Sequence, residues 1–230
     1  WCNALMIFAE LSKRFGNATE AKQFLQRGAQ VKERFIEIFW NETAGCLYDY
    51  VDGEHKDAAL RPNQIFAMSL PFTLLEGERA KKVLKIVEEK LYTPVGLRSL
   101  AADDPNYRPR YSGDQWSRDS AYHQGTVWSW LLGPMITAII RVEGEAGKPR
   151  AKKLLDNIKP HLIDAGLGTI SEIFDAESPH TPRGCMAQAW GVAEVLRAYL
   201  EDVMAETPKI APVRAQKKST TAKLSPAVVA

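Results

Sequence analysis

The feature that most constrains the fold is an alternation in how successive helical segments carry their apolar residues. Across 125–142 the chain is apolar nearly all round (Trp128, Trp130, Leu131, Met135, Ile136, Ile139, Ile140), so a helix there has to be buried on every side. Across 78–91 there is instead one stripe, Ala80, Val83, Leu84, Val87 and Leu91, with Lys81, Lys82, Lys85, Glu88 and Glu89 opposite. Residues 150–165 repeat that single stripe with Ala151, Leu154, Leu155, Ile158 and Leu162. A helix of this second kind keeps one face in water. The spacing predicts buried helices over 1–15, 63–70, 125–142 and 185–199, alternating with half-exposed ones that end near Phe39, Leu91 and Ala165. Thr19 or Asn17 can cap the second of the seven, Pro62 suits the start of the third, and Pro71 ends it. A kink is expected at Gly133-Pro134 and a bend at Pro160.

Loop length follows the same alternation. The connections leading into the third, fifth and seventh helices are long and carry Tyr, Trp, Asp, Arg and His, whereas those leaving the buried helices are short. The segment 92–124, with Tyr107, Tyr111, Trp116 and Tyr122, is too aromatic for disorder and reads as a binding loop. Alternating inner and outer helices describe a toroid of helical hairpins, with its functional face at the N-terminal ends of the inner ring. A helical solenoid is the plain alternative, but no internal repeat of solenoid length occurs.

With 230 residues, 45% of them hydrophobic, the chain is long enough for one large core. Residues 1–204 form the expected domain, and 205–230, rich in Pro, Ser, Thr and Lys, reads as a disordered basic tail. Lys209, Arg214, Lys217, Lys218 and Lys223 against Glu206 give that tail +4 of a total +2, leaving the body at −2. A near-neutral body gives no reason to expect nucleic acid or an anionic membrane as partner. No apolar run approaches the ~20 residues of a bilayer span, and no signal peptide is legible at the start, so a cytoplasmic location is expected. Cys2, Cys46 and Cys185 have no metal-ligand spacing and read as reduced thiols, and the two glycosylation sequons read as chance. The chain starts at Trp1 inside a helical pattern, as a fragment of a longer protein would.

Phosphate-binding glycine loops, His-Glu-x-x-His and Gly-x-Ser-x-Gly are all absent, so neither a cofactor nor a metal is expected. What remains is carboxylates beside aromatic rings: Asp49, Asp52, Asp57, Asp103, Asp104, Asp114, Asp119, Glu172 and Asp175 on the proposed face. Such a surface suits a sugar, whose C–H faces stack on rings while its hydroxyls need donors and acceptors. Glycoside hydrolysis then asks for two carboxyls, one to protonate the leaving oxygen and one to assist water or attack. Glu172, between Ile170 and Ile173 in a loop fixed by glycines and prolines, is the preferred catalytic residue.

Three ordered segments carry a resemblance: Arg61-Pro-Asn-Gln-Ile-Phe-Ala, Tyr122-His-Gln-Gly-Thr-Val-Trp, and Thr169-Ile-Ser-Glu-Ile-Phe-Asp with Arg183-Gly-Cys-Met-Ala-Gln-Ala-Trp. Together they resemble the C-terminal amylo-α-1,6-glucosidase domain of glycogen debranching enzymes, from Trp1 to about Met204. The resemblance implies an all-α fold, an (α/α)6 toroid of which about seven of twelve helices are present. It implies hydrolysis of the α-1,6-linked glucose at branch points of glycogen or limit dextrin, with inversion, and Glu172 as general base. Arg183 or His180 could favour its carboxylate, with a loop contact at a helix N-terminus the equal alternative for Arg183. His123 and Gln124 either bond glucose hydroxyls or cap the helix that follows, with binding preferred; Asp119 and Tyr122 belong to the same sugar-binding loop, and Asn63 and Gln64 are further candidates. Trp128 and Trp190 read as core. In that family the general acid is an aspartate in a Gly-Arg-Asp segment upstream of the first helix here, and nothing equivalent occurs in this chain. Arg118-Asp119 is a tempting substitute, but its context fits the binding loop, so the chain alone is expected to be inactive. The alternatives are another toroidal glucosidase, glucoamylase- or trehalase-like, and a non-catalytic glycan-binding scaffold.

Overall fold

Helices α1 (Cys2–Arg14) and α2 (Ala18–Phe39) pack together as a hairpin in the computed structural model, which describes residues 1–165 and 167–205. The tail expected over 205–230 lies, apart from Ala205, outside the described residues. Asn17, not Thr19, caps α2: its side chain accepts from the Glu20 amide at 3.1 Å. Helix α1 departs from expectation. It buries Cys2, Leu5, Ala9 and Ser12, but Phe8 is half exposed and Phe15 is 81% exposed. Apolar spacing makes the helix, but beyond its α2 side it is tied only near its start, where Asn3 bonds the Phe72 backbone, and the rest of its apolar face stays exposed among the described residues.

Two short hairpins follow where the sequence reads as loop, β1 (Trp40–Asn41) with β2 (Cys46–Leu47) and β3 (Tyr50–Asp52) with β4 (His55–Asp57). A 3-10 turn, Pro62–Ile65, leads into α3 (Phe66–Ser69), and α4 (Gly77–Leu91) buries every member of its predicted stripe. Then come β5 (Tyr92–Thr93), β6 (Gly96–Arg98), α5 (Gln115–Ala121), capped by the Asp114 side chain, and β7 (Val127–Trp128). Helix α6 (Leu132–Glu143) follows through one 3-10 turn, Ser129–Leu131. The half-exposed segment 150–165 divides into α7 (Lys148–Asp156) and α8 (His161–Asp164), broken at Pro160. Strands β8 (Ile173–Phe174) and β9 (Pro182–Arg183) precede α9 (Ala189–Arg197), which passes into a π-helical stretch, Ala198–Val203.

The fold is therefore mostly helical but not all-α. Strands β5 to β9 form one antiparallel sheet in chain order, with Leu97 opposite Trp128, Trp128 opposite Ile173, and Ile173 opposite Arg183. Strands of two or three residues are too short to show a period of two in sequence. They form because Leu97, Val127, Ile173 and Phe174 are buried, and buried backbone amides need partners. The helix expected over 125–142 loses its first residues to β7 for the same reason. Pro134 kinks nothing, since it stands in the first turn of α6, where its missing N–H has no helical partner to lose.

Helix α6 is the centre of the core. Every residue from Leu132 to Ile139 is buried, and α6 packs against α3, α4, α7 and α9. The sheet lies across the N-terminal approach to α6, in contact through β6 with the Ser129–Leu131 turn. No helix among the described residues is long and apolar enough to cross a membrane.

Candidate active site

The sheet sets the position of Glu172. Its residue Ile173 pairs with Trp128 on one side and Arg183 on the other, which puts Glu172 beside Ser129 and opposite Gly184. The Glu172 carbonyl accepts from the Ser129 amide at 3.3 Å, and the Glu172 amide donates to the Cys185 carbonyl at 2.9 Å. A backbone tied on both sides leaves the half-buried side chain one direction to take.

Each carboxylate oxygen of Glu172 then has one donor. Oε1 accepts from the Tyr122 hydroxyl at 2.6 Å, and Oε2 accepts from the Cys185 amide at 3.0 Å. Burial first, and then the hydrogen bond to Glu172, push the Tyr122 pKa well up, so the phenol keeps its proton and donates. Gly184 makes the second contact possible. Its φ is +65°, and a Cβ there would stand 2.5 Å from Oε2, so this turn needs glycine on both counts.

A second cluster is organised by Arg61, the first residue of the Arg61-Pro-Asn-Gln segment. Its guanidinium donates to the Ser99 carbonyl at 3.0 Å, the His123 carbonyl at 2.6 Å and the Gln124 side-chain oxygen at 2.6 Å, and lies 3.6 Å from Asp49. Asp49 in turn accepts from Asn63 at 2.8 Å. One side chain thus joins the 40–61, 92–124 and 62–70 segments, and the available signal was an arginine directly before a helix-opening proline. Asn63 and His123 are exposed, His123 with its ring stacked on Trp128 at 5.2 Å. Desolvation of its ring, then the charge of Arg61, hold the His123 pKa below its ordinary value, which favours the neutral ring. Gln124 is half-buried with its amide oxygen taken by Arg61. Gln64 is buried, and its amide is engaged at both ends, from the Leu47 amide at 3.3 Å and to the Arg61 carbonyl at 3.1 Å. Asp119 is exposed on α5, three residues before Tyr122.

His180 and Arg183 face another carboxylate. Arg183 donates twice to Asp175 Oδ2, at 3.1 and 2.8 Å, and Asp175 Oδ1 accepts from the Tyr111 amide at 2.9 Å. The Asp175 hydrogen bond pushes the Arg183 pKa above its ordinary value. His180 Nδ1 lies 3.1 Å from the Asp175 carbonyl. Neither side chain bonds the Glu172 carboxylate, whose donors are the phenol and the backbone amide; both shape the loop that presents it.

Residues 1–197 match the sequence model of the family described as amylo-alpha-1,6-glucosidase. The chain belongs to this family. Among curated relatives, glycogen debranching enzyme from Saccharomyces cerevisiae is 41% identical over 90 residues, which are 36% of this chain and 6% of that protein. Among solved structures, a GH63 mannosylglycerate hydrolase from Thermus thermophilus in complex with glucose superposes with a TM-score of 0.60 at 18% identity, over 86% of this chain and 45% of that one. An uncharacterized conserved protein from the same organism gives 0.59 at 17% identity, over 86% of this chain and 44% of its own. At such identities the likeness shows a shared fold. The chain spans less than half the length of these structures and a small fraction of the yeast enzyme.

In this amylo-alpha-1,6-glucosidase family member Trp128, which packs on Tyr122, also lines an open hollow with Arg61, Asn63, Ser99, His123, Trp130 and Trp190. Trp128 is buried, as the sequence suggests, but Trp190 is 44% exposed and stacks on Trp130 at 5.1 Å. Trp130 in turn stacks on Phe66 at 5.7 Å. The hollow offers rings, an imidazole and an amide, which are groups a hexose takes. Among the described residues no group of three His, Cys, Asp or Glu is arranged to hold a metal ion.

Proposed function

We propose that this chain supplies the water-activating half of a glycoside hydrolase site, removing α-1,6-linked glucose at the branch points of glycogen or its limit dextrin with inversion, and that Glu172 is the general base. One observation carries the reading: both Glu172 oxygens meet donors alone, the Tyr122 hydroxyl and the Cys185 amide, the partners of a carboxylate that only accepts. One lone pair on each oxygen stays free for a water and its proton. His123, Asn63, Gln124 and Asp119 are the proposed sugar contacts, with Trp190 as the exposed ring at the edge of the hollow. Family membership supports the reaction class, and the name of the yeast relative supports a branched glucan as substrate.

Inversion requires a second carboxyl about 6.5–9.5 Å from the first. Asp175 is committed to Arg183 and Tyr111, and Asp49 to Arg61 and Asn63. As the family resemblance implies, we infer that the general acid belongs to a segment outside these 230 residues, and that the full domain is an (α/α)6 toroid whose remaining helices carry it. The test is glucose release from limit dextrin by the complete enzyme, with the first-formed anomer read by NMR. Glu172→Gln is expected to lower kcat by roughly 10³-fold, on the scale of losing a proton-transfer group, with β-glucose the first product of the parent enzyme. The purified 230-residue chain is expected to release none. Near-normal kcat for Glu172→Gln removes the base assignment, and glucose release by the isolated chain removes the outside acid.

A further inference from the structure

One buried titratable side chain is unused by this scheme. His161, 5% exposed, opens α8 on the far side of the Glu172 loop and meets the Phe174 ring edge-on at 4.7 Å. Its Nε2 lies 3.1 Å from the backbone nitrogen of Ser171. A backbone N–H only donates, so Nε2 is the unprotonated nitrogen and the ring is neutral, with its hydrogen on Nδ1. The other side of the same residue is held by Ser129. Its hydroxyl donates to the Ser171 carbonyl at 2.7 Å, with the Glu172 carbonyl 3.1 Å away. Ser129 and Ser171 are both buried. Behind Ser129, α9 approaches so closely at Gly191 that a Cβ there would stand 2.8 Å from the hydroxyl oxygen.

We propose that His161, together with Ser129, is a positioning residue for Glu172: the two side chains clamp Ser171 at its N–H and its C=O and so fix the direction in which the next residue presents its carboxylate. The inference rests on the reading of Glu172 as base. The clamp acts one peptide away from the carboxylate, so freedom at Ser171 becomes displacement at Oε1 and Oε2, and misplacement by about 1 Å can cost a catalytic group 10²-fold. Burial keeps His161 from sugar, and its lone pair is already given to the Ser171 amide.

The complete enzyme tests this with His161→Gln, His161→Leu and Ser129→Ala, each assayed on limit dextrin beside Glu172→Gln. A glutamine amide oxygen can accept the Ser171 N–H from near the Nε2 position, whereas leucine cannot. His161→Gln is expected to stay within about threefold of the parent kcat, while His161→Leu and Ser129→Ala lose roughly ten- to a hundredfold in kcat with KM unchanged. Should His161→Leu fail to fold, Ser129→Ala and the Gln rescue carry the same comparison, since neither opens a large cavity. Equal kcat for His161→Gln, His161→Leu and Ser129→Ala, with Glu172→Gln inactive, overturns the clamp and leaves the base standing; so does a loss that appears in KM rather than kcat. An active Glu172→Gln enzyme overturns the base, and the clamp with it.

Discussion

At the scale of single residues, the site depends on what each polar atom near Glu172 is already bound to. Tyr122 entered as a sugar-binding candidate, yet its hydroxyl is committed to Glu172 Oε1 at 2.6 Å. Tyr122→Phe removes that donor and keeps the ring that packs on Tyr111 and Trp128. A hydrogen bond to a charged group is worth about 1.5–3 kcal/mol, so the variant of the complete enzyme is expected to lose roughly ten- to a hundredfold in kcat. Its KM should hold, because the ring and the neighbouring His123 stay in place; a raised KM with parent kcat instead returns Tyr122 to the sugar. Glu172 was proposed from sequence, through two glycines, two apolar neighbours and a resemblance. Its donors were not, because Tyr122 is 50 residues away and Cys185 acts through its backbone, which no side-chain pattern reports.

At the scale of elements, the sequence reads well wherever one face of a long helix is apolar. Helix α4 runs Gly77–Leu91 against an expectation of 78–91, and Ala80, Val83, Leu84, Val87 and Leu91 are all buried. It fails at 125–142, because a continuous apolar run is compatible with strand or helix, and Val127 and Trp128 take the strand. It fails also at α1, since periodicity says which face is apolar and not what covers it. The loop between β8 and β9 is an element held by one ion pair. Asp175→Ala would leave Arg183 without its carboxylate and the Tyr111 amide without its acceptor, at a cost of about 2 kcal/mol for a pair whose arginine is partly screened by solvent. Thermal unfolding should drop by roughly 4–8 °C for a domain of this size. An unchanged midpoint would mean that the sheet alone holds β9 in register.

At the scale of the whole molecule, the same buried histidine that clamps the site links stability to acidity. Burial holds the His161 pKa below its ordinary value near 6.5, against the opposing charge of Asp164 on the same helix, while β8 presents it only the apolar Phe174 ring. The folded state therefore binds this proton less readily than the unfolded chain. The contribution is fully present above pH 6.5 and is lost as pH falls from there through the lowered folded value. Denaturant unfolding across that window is expected to show stability falling with pH in the parent and a flatter profile in His161→Gln. Parallel profiles in the two proteins would place the acid sensitivity elsewhere.

The sequence by itself determined the helices with a continuous apolar face, the burial of α6, the family, and the loops from which a site can be made. Those properties are local: propensity, periodicity and short motifs need only neighbours along the chain. The sheet that ties Glu172 between Ser129 and Cys185, the joining of three loops by Arg61, and the clamp at Ser171 were decided by tertiary structure alone. Each depends on which backbone group finds itself buried beside which distant donor. That pairing costs free energy when left unmade, and the chain settles it only after it has packed.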